Sequence, residues 1–340
     1  MAVSLSTPSS VTENARGGAL SGNGLGGKGA ERSPDRFIDP RALMRIRSLE
    51  LRARVVVEGF LNGLHRSPYH GFSVEFTEYR PYSPGDDPRY LDWRVLARSD
   101  RTFIKKFEDE TNLRCHLLVD RSRSMDFSST GYSKGDYAVT LAATLAHFLQ
   151  KQGDAVGLFS FDEAVREYLP ARARPGHLRQ LMLALEKPAA GKKTDLVAPL
   201  TQFSRLVRKR GLMVLISDFL APLDRLESSL ATLSAGGHEA AVFQLLDPAE
   251  KTLGFSQSMV FEDLESAQTL YIDPAAARAS YVERLTTHNE AVRGLCARHG
   301  IAFTSLQTDQ PLEWALFEFL QRRERSEIQR RGNPSSGRTP

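Results

Sequence analysis

The sequence predicts an α/β protein with a mainly parallel sheet, because strand-like and helix-like patterns alternate along most of the chain. Short apolar runs of strand length occur at 115–119, 155–161 and 212–217, and the last of these, LMVLIS, is the clearest buried strand. Between the runs, apolar residues recur at three- and four-residue steps, as they do along the buried face of a helix. A segment at 71–110 alternates like strands around the turn SPGDDP, which predicts a small antiparallel or mixed β element before the main sheet.

The remaining elements follow from the same two periodicities. In chain order the sequence predicts a helix at 40–65, a strand at 115–119, helix 136–150, strand 155–161, a short edge strand at 166–171, helices 176–186 and 196–207, strand 212–217, helix 223–233, strand 239–246, helix 274–299, strand 301–305 and helix 312–322.

Composition divides the chain into four parts. Residues 1–36 are rich in Gly, Ser and Pro and poor in large apolar residues, so we predict a disordered tail. Residues 37–110 hold a helix and the small β element, and residues 111–322 form the α/β domain. Residues 323–340 are predicted to be a basic, disordered tail, since residues 321–340 contain six Arg and two Glu and so account for the whole net charge of +4.

The overall composition bears on location and on the class of partner. No apolar run approaches the ~18 residues that a membrane span needs, and no signal peptide is evident. Two cysteines, Cys115 and Cys296, are expected to be reduced core residues, so the expected location is the cytoplasm. The charges outside the basic tail balance, so we expect no dedicated nucleic-acid binding. Arginines and aromatics are interleaved at 79–98, but acidic residues nearly match the arginines, which favours a paired structural network.

Polar side chains follow two of the predicted strands. Asp120, Ser122 and Ser124 come directly after the first strand of the α/β domain, and Asp218 follows the strand LMVLIS. Thr194 lies in a loop just before a helix, at the same expected edge of the sheet. These five residues offer hydroxyl and carboxylate oxygens, which suit Mg²⁺ or Mn²⁺. Asp and Ser after a strand are also ordinary turn and N-cap residues, and the pentapeptide alone does not separate the two readings.

The order of these residues resembles a known module. Asp120-x-Ser122-x-Ser124, then Thr194, then Asp218 is similar to the metal-ion-dependent adhesion site of the von Willebrand factor type A (vWA) fold. The resemblance implies a Rossmann-type, doubly wound, mainly parallel sheet. It also implies that the two Ser and the Thr coordinate the metal, that the Asp residues act mainly through water, and that an acidic residue of a partner can complete the metal shell.

A second resemblance covers the segment before this domain. EYRPYSPGDDPRYLDWRVLARSDRTFIKKFEDE, residues 78–110, is similar to the hallmark of the bacterial family called domain of unknown function 58 (DUF58). Members are often encoded beside MoxR-type AAA+ ATPases, so the resemblance implies such an ATPase as partner. Many members carry N-terminal membrane helices, and this sequence shows none.

Two functions of different classes are compatible with the predicted site. The one we favour is a non-catalytic protein-binding module, an adaptor or co-chaperone for the ATPase. The rival is a metal-dependent hydrolase such as a phosphatase or nuclease. Two-metal hydrolysis needs a denser carboxylate and His cluster, and the sequence contains no H-E-x-x-H, G-x-S-x-G or P-loop lysine motif. Nucleic-acid binding through the basic tail rests on composition alone.

Overall fold

A computed structural model describes residues 3–4, 37–64, 79–81, 103–105, 113–189, 195–255, 259–263 and 269–332. The helices in this part of the chain are α1 (Pro40–Met44), α2 (Leu49–Leu64), α3 (Lys134–Lys151), α4 (His177–Leu185), α5 (Val197–Leu206), α6 (Leu223–Ala235), α7 (Pro248–Thr252), α8 (Pro274–Arg298) and α9 (Leu312–Gly332). The strands are β1 (Val3–Ser4), β2 (Tyr79–Pro81), β3 (Phe103–Lys105), β4 (Arg114–Asp120), β5 (Ala155–Phe161), β6 (Val165–Arg172), β7 (Leu212–Ser217), β8 (Glu239–Leu246), β9 (Met259–Asp263), β10 (Thr269–Ile272) and β11 (Ala302–Gln307).

Six strands form the central sheet in the order β11-β8-β7-β4-β5-β6. All neighbouring pairs are parallel except β5 with β6, which is antiparallel, so β6 is the antiparallel edge strand. The chain winds outward from β4 in one direction through β5 and β6, and in the other through β7, β8 and β11. This is the doubly wound order of a Rossmann-type sheet. The predicted fold class is therefore confirmed.

Successive side chains of the central strands point to opposite faces of the sheet, so the sheet separates two cores. Leu117 and Val119 of β4 pack into a core with α2, α3, α4 and α9. Leu118, between them, packs into the other core with α5, α6 and α8. Both faces of β4 are buried, which explains its continuous apolar run.

The N-terminal helical region contains two helices where the sequence predicted one. Asp39 caps α1 by accepting a hydrogen bond from the backbone N–H of Arg41 at 2.9 Å. The helix ends at Met44, and α2 begins at Leu49, where Ser48 Oγ accepts a hydrogen bond from the N–H of Leu51 at 3.2 Å. Residues of the serine and aspartate type favour such helix starts, so the break has a local cause.

Two small sheets lie outside the central one. Strands β2 and β3 pair antiparallel within the region 71–110 where a small β element was predicted. Strands β9 and β10 form an antiparallel pair that the sequence did not predict, and β1 pairs with β9. Residues of β1 belong to the segment 1–36, for which no ordered structure was predicted, and residues 5–36 lie outside the described part of the chain.

The C-terminal helix differs from the prediction, because α9 continues to Gly332 instead of ending near 322. Arg322 donates to the carbonyl oxygen of Phe303 at 2.6 Å, and Arg323 donates to Asp154 Oδ2 at 3.0 Å. Asp154 is fully buried, so the second contact is an internal ion pair and not a surface one. The helix α9 therefore extends into the segment 323–340, for which a basic tail was predicted.

Candidate metal centre

The candidate site lies where the winding direction of the sheet reverses. Asp120 is the last residue of β4, and Asp218 directly follows β7, the strand beside it. From these two strands the chain leaves toward opposite edges of the sheet. Loops that follow the strands therefore splay apart there, and such switch points are the usual ligand sites of doubly wound sheets.

The loop after β4 folds its two serines inward. The N–H of Ser122 donates to Asp120 Oδ1 at 2.9 Å, and a short 3-10 helix, Arg123–Asp126, follows. Ser122 and Ser124 are buried, with their Oγ atoms 3.1 Å apart. Arg121 has its guanidinium bound to the carbonyl oxygens of Leu185 and Lys187, at 2.9 and 2.8 Å. The loop therefore presents neutral oxygens beside a buried carboxylate.

Asp120 is fully buried, and its hydrogen-bond donors are uncharged. Besides the Ser122 amide, the Ser217 hydroxyl donates to Asp120 Oδ2 at 2.5 Å. Burial, and then the nearby charge of Asp218, raise the pKa of Asp120 to about 6, although both serines act to lower it. A nearby cation would stabilise the ionised form of a carboxylate in this environment.

Asp218 has a different environment, because it is paired with a buried lysine. Lys134 Nζ lies 2.9 Å from Asp218 Oδ2 and 2.7 Å from Glu250 Oε1. Burial alone would raise the pKa of Asp218, but the ammonium of Lys134 and a hydrogen bond from Ser124 hold it below its ordinary value. Burial alone would lower the pKa of Lys134, and the two carboxylates raise it instead.

Glu250 connects this pair to the turn after β8. Glu250 Oε2 accepts from the N–H of Asp247, and Asp247 Oδ1 accepts from the N–H of Ala249 at 2.8 Å, which together cap α7. Asp247 Oδ2 also accepts from the N–H of Ser129 at 2.8 Å, and Asp247 Oδ1 from the hydroxyl of Ser129. The loop between the 3-10 helix and α3 is thus tied to the same turn.

The turn after Asp218 is held by α8. Phe219 is buried and has φ of 56°, a left-handed conformation that is uncommon for a bulky residue. His288 Nε2 lies 2.8 Å from the carbonyl oxygen of Phe219. Gln244 Nε2 donates to the carbonyl oxygen of Asp218 at 3.2 Å and to Asn289 Oδ1 at 2.9 Å. These contacts fix the path of the chain directly beside the Asp218 carboxylate.

Four of the five predicted site residues lie in this cluster, namely Asp120, Ser122, Ser124 and Asp218. The fifth, Thr194, lies outside the described residues. The Arg- and Tyr-rich segment 79–98 is likewise outside them beyond β2. Among the described residues, no three His, Cys, Asp or Glu side chains are grouped to hold a metal. The cluster instead combines hydroxyls with two carboxylates, a donor set that fits a hard cation.

The sequence reasoning missed Lys134, Ser217 and Glu250. Ser217 and Glu250 carry no pattern that distinguishes them from other polar residues. Lys134 had one signal, since it is the first residue of α3 and follows the N-cap Ser133. A cation there opposes the helix dipole, so a lysine in the first turn is favourable only with an acidic partner.

Comparison with known proteins then places the chain in a family. The profile described as "Protein of unknown function DUF58" matches residues 78–291. The chain belongs to the DUF58 family. The DUF58 chain is also 30% identical over 295 residues to the uncharacterized protein Rv1480 of Mycobacterium tuberculosis, covering 85% of this chain and 92% of that protein. It is 28% identical over 140 residues to the uncharacterized protein YeaD of Bacillus subtilis, covering 41% and 32%.

Solved structures that match this chain include a vWA domain. The hypothetical protein BatB from Bacteroides thetaiotaomicron matches with a TM-score of 0.41 and 14% identity, over 62% of this chain and 98% of that one. The SpRpn10 VWA domain matches with a TM-score of 0.35 and 12% identity, over 59% and 92%. The strand order itself carries the conclusion that this DUF58 protein has a vWA-like fold. Among the described helices, none combines the length and apolar composition that a membrane crossing requires.

Proposed function

We propose that this DUF58 protein is a non-catalytic protein-binding module that holds Mg²⁺ or Mn²⁺ in an adhesion-type site. Ser122, Ser124 and Thr194 would supply neutral hydroxyl oxygens, and Asp120 and Asp218 would supply the negative charge. The bound metal would supply a positively charged centre that accepts an oxygen ligand from another protein. In this function the protein binds a partner and does not itself catalyse bond cleavage.

The observation that supports the proposal is the environment of Asp120. This carboxylate is fully buried beside a second carboxylate and receives hydrogen bonds from Ser217 and Ser122, which carry no charge. An ionised carboxylate in such a place is costly without a cation. A divalent metal beside the Ser122 and Ser124 hydroxyls would provide one, and the hydroxyls would be metal ligands.

The same donor set favours an anionic partner. Two carboxylates lie near the proposed metal, and one of them is already paired with Lys134. The metal therefore keeps positive charge, which attracts a carboxylate from outside. Family resemblance supplies the candidate partner, a MoxR-type AAA+ ATPase, for which this protein would be an adaptor or co-chaperone.

A metal-dependent change in thermal stability tests the site. A ligand that binds only the folded state adds about 1.4 kcal/mol when present at about tenfold its Kd. We expect millimolar Mg²⁺ or Mn²⁺ to raise Tm by roughly 3 °C or more, and Asp120→Ala to abolish the rise. Differential scanning calorimetry with and without metal measures both.

Asp162→Ala is the matched control for this experiment. Asp162 is also fully buried and follows the neighbouring strand β5, but its carboxylate is paired with Arg166. The control should melt at a lower temperature and still respond to metal. A metal-independent Tm for the wild-type protein would count against the site. Metal-dependent phosphoester hydrolysis that disappears in Ser122→Ala would instead favour the hydrolase alternative.

A further inference from the structure

We infer that Lys134 is a positioning residue that sets the balance between metal and partner at this site: its ammonium shares Asp218 with the metal, so the metal binds more weakly but attracts an external carboxylate more strongly. The inference rests on the proposed metal site and goes beyond it, because it assigns the strength and the ligand preference of that site to a residue outside the five ligand positions.

Lys134 is an internal residue whose ammonium is bound by two carboxylates. Its side chain is fully buried, and its Nζ makes two short ion pairs, to Asp218 at 2.9 Å and to Glu250 at 2.7 Å. The two carboxylates come from different segments, Asp218 from the turn after β7 and Glu250 from helix α7. The lysine therefore joins the candidate site to a second acidic residue that does not itself belong to the site.

Asp218 is consequently a divided ligand. Lys134 occupies Oδ2, while Oδ1 accepts from the N–H of Leu220 at 3.2 Å. A carboxylate that already neutralises an ammonium offers less negative charge to a metal beside it. Asp120, whose hydrogen-bond donors are uncharged, would therefore offer a metal more uncompensated negative charge than Asp218 does.

Stability alone is a poor account of this arrangement. Replacing a buried ion pair by apolar residues of similar volume is often neutral or stabilising, because both charges must be desolvated. The pair is also placed beside the candidate site and not elsewhere in the core. A function at the site explains this position, whereas a purely structural role predicts no preference for it.

Loss of the Lys134 ammonium should change two affinities in opposite directions, that of the site for the metal and that of the bound metal for an external carboxylate. Lys134 Nζ contacts the Asp218 carboxylate directly, and Glu250 contacts the same ammonium. Removing both charges together leaves the net charge unchanged and frees the Asp218 oxygen that the ammonium holds. Metal affinity should therefore increase, by about tenfold. Affinity of the bound metal for an external carboxylate should decrease, because Asp218 now neutralises the metal more fully.

The double variant Lys134→Met/Glu250→Gln is suited to the test. Lys134→Met alone would leave two buried carboxylates without their cation and could unfold the domain. Gln at 250 keeps an acceptor for the Asp247 N–H, which the cap of α7 uses. Lys151→Met is the matched control, because Lys151 is at the exposed end of the same helix.

The experiment uses Mn²⁺ as the metal probe and acetate as the carboxylate probe, on full-length protein. Electron paramagnetic resonance of free Mn²⁺ measures the Kd, and the water-proton relaxation caused by bound Mn²⁺ falls as acetate displaces coordinated water. Sodium chloride at equal ionic strength controls for screening. We expect the double variant to bind Mn²⁺ about tenfold more tightly than wild type and acetate more weakly, with Lys151→Met unchanged.

The possible outcomes separate the two proposals. A cooperatively folded double variant with equal or weaker Mn²⁺ affinity would overturn the role of Lys134 and leave the metal site standing. Tighter binding of both Mn²⁺ and acetate would also contradict it, since the two effects must oppose each other. No Mn²⁺ binding by any of the three proteins would remove the metal site, and the role of Lys134 with it.

Discussion

At the scale of single residues, the two carboxylates of the candidate site differ in what surrounds them. Asp120 receives hydrogen bonds from a hydroxyl and an amide, and its pKa is raised to about 6 by burial and by Asp218. Asp218 is paired with Lys134, and its pKa is lowered despite burial. Two identical side chains at the ends of neighbouring strands thus have different surroundings, one paired with an ammonium and one with uncharged hydrogen-bond donors.

A residue away from the site predicts how stability depends on pH. His116 of β4 is buried against the ring of Phe203, with centroids 5.5 Å apart. Burial, with smaller contributions from His238 and Arg114, lowers the pKa of His116 to about 4 from 6.5. The unfolded state therefore binds the proton first, and the free energy of unfolding should fall as pH drops from 6.5 to 4, by at most about 3 kcal/mol.

Urea unfolding at pH 7 and pH 4.5 measures this contribution by comparing variants. His116→Leu should lose less stability between the two pH values than wild type does. Phe203→Leu, which removes part of the packing around the imidazole without removing a titratable group, should lower stability more at pH 7 than at pH 4.5. An identical pH dependence in wild type and His116→Leu would show that the imidazole does not report this burial.

The residues of the site were predictable to different degrees for a physical reason. Asp120, Ser122, Ser124 and Asp218 could be found because they follow apolar strand runs, and parallel strands bring such positions to one edge. Lys134 had only its position in the first turn of α3 as a signal, because its partners lie 84 and 116 residues away. A buried ion pair leaves no local periodicity, and a lysine in a sequence is ordinarily assigned to the surface.

At the scale of elements, the central strands and most helices were predicted, whereas α7 and the β9–β10 pair were not. Central strands such as β7 are buried along their whole length, which produces a continuous apolar run. The pair β9–β10 carries exposed apolar residues, with Val260 49% and Tyr271 69% exposed, and its sequences MVFED and TLYI do not alternate regularly between apolar and polar residues. Alternation of apolar and polar residues is the pattern that indicates a half-buried strand, so the sequence does not predict this pair.

The antiparallel edge strand depends on one glycine. The pairing of β5 with β6 shifts register between Val156 and Leu158. A Cβ at Gly157 would lie 2.8 Å from both the backbone nitrogen of Ala171 and the carbonyl oxygen of Leu169. Gly157→Ala would push β6 away from the sheet, and we expect the free energy of unfolding to fall by about 1–3 kcal/mol.

Gly294→Ala is the matched control for that substitution. Gly294 lies within α8, and a Cβ there would meet no atom within 4 Å. Alanine is the better helix former by about 1 kcal/mol, so the control should be at least as stable as wild type. Equal urea midpoints for Gly157→Ala and wild type would show that β6 adjusts without cost.

At the scale of the whole molecule, the order of the strands is what assembles the site. The sequence predicts alternating strands and helices, but it contains no statement of which strands are neighbours. The observed order places β4 beside β7, so residues almost a hundred apart in the chain come together at the switch point. Two cores, one on each face, hold the sheet and so fix the points at Asp120 and Asp218 from which the loops begin.

This edge of the molecule is proposed to bind a partner through a metal, and a binding assay with a MoxR-type ATPase tests that proposal most directly. Wild-type protein, Ser122→Ala and the exposed-site control Ser228→Ala would each be used to capture the purified ATPase in Mg²⁺ or in EDTA. At an ionic strength of about 0.15 M, the electrostatic interaction between exposed charges is screened beyond about 8 Å. This screening suppresses attraction by the basic tail.

We expect wild type and Ser228→Ala to recover the ATPase in Mg²⁺ and to lose it in EDTA, and Ser122→Ala to recover little in either. Equal recovery by wild type and Ser122→Ala in both Mg²⁺ and EDTA would contradict the claim that the metal is the docking point.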